Sequence, residues 1–251
     1  MRVFGGLGLQ AGDTFDDDED AELLDDELEE LLEPREDKKT VAVDHVSFSV
    51  AGGGCVGIIG PPKSGKTTLM NIVAGITPPT SGRVVVHGFA CPIVDSALPL
   101  FPRTGTFGKG LGSLGAFLHV PPRQIRRHLD EIFEFVEKPE LRQKATTSVS
   151  SRTHREILFA MMLTLDPDIV LIDSPIPKPI SARVRTRLTD FKASGGLVLM
   201  TGPNVKSVAW LADRVITLEG GAIARDERVE DALERWSIEK RDENGDVAAE
   251  E

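Results

Sequence analysis

The stretch Gly60-Pro61-Pro62-Lys63-Ser64-Gly65-Lys66-Thr67 limits this chain more than any other. It has the spacing G-x-x-x-x-G-K-[ST] and stands between the apolar run Cys55-Val56-Gly57-Ile58-Ile59 and the segment Thr68–Ala74, so the order reads strand, glycine-rich turn, helix. A loop in that setting wraps phosphates with backbone N–H groups, while its lysine reaches the outer phosphates and its hydroxyl takes a place on Mg²⁺. The helix behind it adds a partial positive charge and free donors. Gly60, Lys63, Ser64, Gly65, Lys66, Thr67 and Thr68 are therefore the expected nucleotide contacts. Pro61 and Pro62 offer no N–H. They fall ahead of Lys63, where the donors of such loops begin, so the cradle is expected to survive them.

The net charge of −11 is unevenly placed: residues 1–39 hold 15 acidic and 4 basic side chains, and residues 40–251 hold 25 of each. A neutral body without a basic stripe argues against nucleic acid as a partner. Within the acidic segment Leu24, Leu28, Leu31 and Leu32 recur at helical spacing and Pro34 follows. That pattern fits a solvating, disordered tail, or a short amphipathic helix that docks on a basic partner surface. Cys55 and Cys91 have no metal-ligand spacing and read as reduced, structural thiols. No apolar run nears the roughly 18 residues of a membrane span, and the N-terminus has no signal-peptide pattern. The expectation is a cytoplasmic protein that reaches a membrane only through a partner.

Past Thr40, the alternation in Val41–Val50 and the run Arg83-Val84-Val85-Val86 predict an antiparallel β front end. The Gly- and Pro-rich stretch Cys91–Gly115 reads as a surface loop. Pro121-Pro122 opens a helix whose Ile125, Leu129, Ile132, Phe133 and Val136 form an apolar stripe. A second helix is expected from Ser150 or Ser151 through Met162, completing a small helical subdomain over about 96–164. Ile169–Asp173 is an apolar strand ending in a carboxylate. Ser181 is the expected cap of a helix carrying Val184, Leu188 and Phe191, which Gly195-Gly196 stops. Gly196–Met200 is a further strand, and Arg214–Leu218, Gly220-Gly221 and Ala222–Ala224 make a closing hairpin. Strands alternating with helices predict an α/β P-loop fold with a mostly parallel sheet. The domain reading is 1–39 as an acidic extension, 40–237 as the ATP-binding domain and 238–251 as a polar, frayed tail.

A phosphate loop needs a second carboxylate to hold Mg²⁺ together with Thr67, and Asp173 at its strand end fits that Walker B role. With Val46-Ser47-Phe48, Gly57–Gly60, Leu69–Gly75, Pro79–Gly82, Leu165–Asp168 and Asp213–Ile216, the chain over about residues 40–233 resembles the ATP-binding subunit of an ABC transporter. Its nearest flavour is the capsule and O-antigen polysaccharide exporter branch, with which Ser150-Ser151 and Pro92–Pro102 also align loosely. The resemblance implies ATP and Mg²⁺ as ligands, a homodimer or heterodimer of such subunits, and an integral-membrane permease partner on the inner face of the plasma membrane.

It also implies residues that this chain lacks. The glutamate that polarises water after the Walker B aspartate is Ser174, and the switch histidine falls on Gly202. The signature aligns with Val149-Ser150-Ser151-Arg152-Thr153, so its serine is kept as Ser150 and its second glycine is Arg152. In family dimers the signature covers the partner's γ-phosphate, so Arg152 reads either as a cation on that phosphate or as an obstruction to the sandwich. The loop after Walker B, Pro175–Pro179, has no aspartate; the Q-loop position falls on Asp95, and the adenine-stacking aromatic is missing between Glu36 and His45. Phosphate and Mg²⁺ binding are thus expected to be kept, with hydrolysis weak or absent. Two readings stay open: a degenerate exporter subunit, and a pseudo-ATPase that regulates or scaffolds a glycan-export machine.

Overall fold

Among the described residues a six-stranded sheet runs, in spatial order, Ala90–Val94, Ile169–Asp173, Leu197–Gly202, Cys55–Ile59, Arg214–Glu219 and Ala222–Arg228. The computed structural model describes residues 41–94, 105–117, 120–173 and 176–246; the acidic extension 1–39, Asp95, Ser174 and residues 247–251 lie outside them. In chain order come β1 (Cys55–Ile59), α1 (Lys66–Val73), β2 (Ala90–Val94), α2 (Phe107–Phe117), α3 (Pro122–Phe135) and α4 (Ser151–Thr164). Then follow β3 (Ile169–Asp173), α5 (Ser181–Ala193), β4 (Leu197–Gly202), α6 (Val205–Val208), β5 (Arg214–Glu219), β6 (Ala222–Arg228) and α7 (Val229–Asp246). All neighbouring strands are parallel except β5 and β6, which form the expected hairpin.

The central strands are apolar on both faces because both are covered. Val56, Ile58, Leu171 and Leu199 point to the side of Leu69 and Met70 of α1. Cys55, Val170, Ile172, Val198 and Met200 point to the opposite core, which holds the buried residues of α3 and α4. The predicted α3 stripe Ile125, Leu129, Ile132, Phe133 and Val136 is buried throughout.

Four segments differ from the sequence expectations. The β front end forms no ladder: residues 41–50 and 83–87 are outside any strand. Val43, Val46, Phe48 and Val50 instead rest one-sidedly on the sheet. The segment is tied by the Asp44 N–H to the Gly221 carbonyl at 2.8 Å and by Arg214 Nη1 to the Ser49 carbonyl at 2.8 Å. Alternation reports one buried face and says nothing of a ladder partner. Val84, Val85 and Val86 are exposed.

The predicted loop Cys91–Gly115 contains β2 and α2. Pro92 is tolerated because β2 is an edge strand. In α2, Phe107, Leu111 and Leu114 are buried at spacings of a helix face, but four glycines hide that signal, each costing about 1 kcal/mol of helix propensity. Two of them sit in close packing: a Cβ on Gly115 would lie 2.6 Å from Ile125 Cγ1, and one on Gly108 would lie 3.2 Å from Arg142 Cγ.

Ser181 does not cap α5 with its side chain; it is the first helical residue, and its hydroxyl donates to the Lys178 carbonyl at 2.9 Å. The turn Lys178–Ile180 runs straight into the helix, leaving Ile180 in the cap position. The expected polar tail is largely helix, since α7 continues to Asp246. Val229, Ala232, Leu233 and Trp236 seat it on the core, Glu230 and Asp231 suit its N-terminus, and Arg235 pairs with Glu227 and with Glu239.

Cys55 and Cys91 are each 1% exposed, and burial pushes both thiols up to about 12. The unfolded thiols titrate near the ordinary 9.0. Their contribution to stability is therefore complete below pH 9 and is lost as pH rises towards about 12. At pH 8 neither thiol is expected to react with Ellman's reagent in the native protein, and both are expected to react in denaturant. Rapid native labelling would contradict the burial.

Candidate functional site

β1 ends at Ile59, and the phosphate loop turns on glycines that no other residue could replace without displacement. Gly60 has φ 150°, and a Cβ there would lie 2.2 Å from the Leu218 carbonyl oxygen. Gly65 has φ 97°, with the Ala42 carbonyl oxygen 2.3 Å from its Cβ position. Lys63, at φ 65°, holds a left-handed conformation costly for a residue with a side chain. Pro61 and Pro62 are exposed, and Ser64 beneath them is buried with its N–H on the Pro61 carbonyl at 3.3 Å.

Lys66 folds into the concave side of this loop. Its Nζ donates to the Gly60 carbonyl at 2.8 Å, the Pro61 carbonyl at 2.7 Å and Ser64 Oγ at 3.1 Å. Burial holds its ammonium below the usual lysine value, and the Asp173 carboxylate opposes that shift. α1 begins at Lys66 with no side-chain cap and no acidic residue in its first turn. Nothing in that turn offsets its positive end, and Thr67 lies exposed there, next to Thr68. This donor set suits polyphosphate.

Asp173 ends β3, as expected. The register pairs Ile172 with Met200 and Ile58 with Thr201, so the ends of β3, β4 and β1 are level. Open parallel sheets bind ligands at these carboxyl ends. Thr201 Oγ1 donates to Asp173 Oδ1 at 2.6 Å. One carboxylate and one hydroxyl suit Mg²⁺, which keeps several waters and takes much of its shell from phosphate. Among the described residues no cluster of three His, Cys, Asp or Glu offers a full metal cage.

The other predicted residues fall in different places. Ser150 N-caps α4, its Oγ accepting the Thr153 N–H at 3.3 Å, and Arg152 is exposed in the first turn of that helix. These two stand on the helical subdomain, while the loop and Asp173 stand at the strand ends. Gly202 closes β4 and is buried; a Cβ on it would meet Ser207 Oγ at 2.0 Å and Val208 Cγ1 at 3.0 Å. α6, capped by Asn204 through the Ser207 N–H at 3.2 Å, is folded onto the strand end. Thr201 escaped notice in the sequence; its one local signal is a hydroxyl at the end of a buried strand.

Two clefts flank these elements. The larger, about 1200 Å³, lies under the extended front end at Phe48, Val85 and Leu199, away from the phosphate loop. The smaller, about 370 Å³, abuts Gly60 and Pro61 and is walled by Trp236 and Val205.

A sequence model described as ABC transporter matches residues 43–177. The "Teichoic acids export ATP-binding protein TagH" of Lactococcus lactis is 27% identical over 205 residues, 80% of this chain and 44% of its own length. The "O-antigen export system ATP-binding protein RfbB" of Klebsiella pneumoniae is 26% identical over 185 residues, 72% of this chain and 75% of its own. A dimeric post-hydrolysis structure of the ATP-binding cassette MJ0796, bound to ADP and Pi, superposes with a TM-score of 0.63. It covers 75% of this chain and 90% of that one at 17% identity, a likeness of fold. With the family match spanning more than half of the chain and the cassette fold around it, the chain belongs to the ABC transporter family as an ATP-binding cassette.

Proposed function

We propose that the chain is the nucleotide-binding subunit of an ABC exporter of surface polysaccharide, and that it binds Mg-ATP while hydrolysing it slowly or not at all. The observation that carries the binding part is Lys66, held inside the loop at 2.7–3.1 Å from three oxygens with Asp173 acting on its charge. Gly60, Lys63, Ser64, Gly65, Lys66, Thr67 and Thr68 would hold the phosphates, and Thr67 with Asp173 the Mg²⁺. Bound Mg²⁺ would neutralise phosphate charge. The polysaccharide class is supported by the relatives named for teichoic acid and O-antigen export. The dimeric neighbour supports a two-cassette assembly, and the family resemblance implies that Ser150 and Arg152 of one copy would face the nucleotide of the other.

Weak hydrolysis is supported by Ser174 and Gly202 at the positions of the expected base and switch histidine. Crowding at Gly202 favours a second reading, a pseudo-ATPase that regulates or scaffolds glycan export. Affinity capture of the full chain from native membranes separates the two. Co-purification of an integral-membrane permease is the expected result; recovery of soluble proteins alone would contradict the exporter subunit.

A further inference from the structure

We propose that Thr201 is a positioning residue for the metal, a role that rests on the Mg-ATP reading above and extends it to β4. Parallel pairing of β3 with β4 sets Asp173 beside Thr201, two strand ends whose residues are 28 apart in sequence. The Thr201 hydroxyl donates to Asp173 Oδ1 at 2.6 Å, a length typical of a hydroxyl on a charged acceptor. An ionised carboxylate only accepts, so the proton of this bond belongs to Thr201. The bond also fixes the plane of the carboxylate, since a torsion about its Cβ–Cγ bond would break it. Among the described residues no other hydrogen bond fixes this carboxylate, and the Lys66 ammonium acts on it through charge alone. Partners of this kind orient metal ligands, and their removal typically costs 10- to 100-fold in metal affinity.

The same bond links the metal ligand to the strand that ends in Gly202 and leads into α6. In place of a side chain projecting from position 202, β4 thus offers a hydroxyl one residue earlier, directed at Asp173.

The test is nucleotide affinity of the full chain, measured with a fluorescent ATP analogue in EDTA and across a Mg²⁺ titration, with Mn²⁺ as a spectroscopic substitute read by EPR. Thr201→Val keeps the shape and strand preference and removes the hydroxyl; Thr201→Ser keeps the hydroxyl. Thr201→Val is expected to raise the half-saturating Mg²⁺ and Mn²⁺ concentrations about 10- to 100-fold and leave affinity in EDTA within about twofold, whereas Thr201→Ser should titrate like the wild type. Equal metal dependence in wild type and Thr201→Val would overturn the role of Thr201 and leave the Mg-ATP reading standing. Equal losses in Thr201→Val and Thr201→Ser would also overturn it. A wild type whose nucleotide affinity ignores Mg²⁺ would overturn both readings at once.

Discussion

Lys66→Ala is expected to weaken Mg-ATP binding about 100-fold, equivalent to ~2.7 kcal/mol, with little change in melting temperature of the free protein. The three acceptors that Lys66 now engages, the Gly60 and Pro61 carbonyls and Ser64 Oγ, line the space in which phosphate oxygens would sit. Exchange of these neutral acceptors for charged phosphate adds the attraction of opposite charges to bonds that the ammonium already assists. Stability should change little because Pro61 is exposed and water can serve its carbonyl once the lysine is gone. The lysine also sets a pH dependence. Its ammonium is held below the ordinary lysine value by burial, and a bound polyphosphate favours the charged form. Binding is therefore strongest below the lowered value and weakens as alkaline pH deprotonates the free protein, earlier than an ordinary lysine would require. Isothermal titration from neutral to alkaline pH measures both effects. Unchanged affinity in Lys66→Ala would remove the loop from the site.

The second large effect concerns turnover. A positioned general base contributes typically 10²–10⁴-fold, and Ser174 cannot act as the carboxylate found at that place in the resemblance. Steady-state ATP hydrolysis is expected to lie at least about 10²-fold below that of a cassette retaining the glutamate, a barrier higher by ~2.7 kcal/mol or more. Ser174→Glu alone should recover only part of it, because no side chain extends from position 202. Nor is Gly202→His a simple repair. Its Cβ would begin 2.0 Å from Ser207 Oγ and 3.0 Å from Val208 Cγ1, so these side chains would have to give way, with an overpacking cost of about 1–3 kcal/mol.

What could be read from the residues follows the range of the interactions involved. The loop, β1 and α1 are specified by the 19 adjacent residues Cys55–Val73, whose glycines, lysine and flanking apolar runs all point to one local geometry. Asp173 was legible for the same reason, as the polar end of an apolar run. α2 was hidden because Gly108, Gly110, Gly112 and Gly115 look like loop composition. The purpose of Gly108 and Gly115, space for Arg142 and Ile125, exists only once the helices pack. The front end misled in the other direction. Val46, Phe48 and Val50 alternate because one side touches the sheet, a pattern that a ladder and a draped segment share. Thr201 could not be read at all, since its partner is set by the β3–β4 register. That position 202 is a glycine was legible, but the closeness of Ser207 and Val208 to it was not.

The most direct measurement of the central claim takes one preparation of the full chain and records Mg-ATP binding by calorimetry beside phosphate release at saturating ATP, with Lys66→Ala as the control. Saturable Mg-dependent binding, lost in the control and accompanied by phosphate release at least about 10²-fold below a glutamate-containing cassette, is the predicted result. Turnover equal to such a cassette and abolished by Lys66→Ala would contradict the account, as would a wild type that binds no nucleotide.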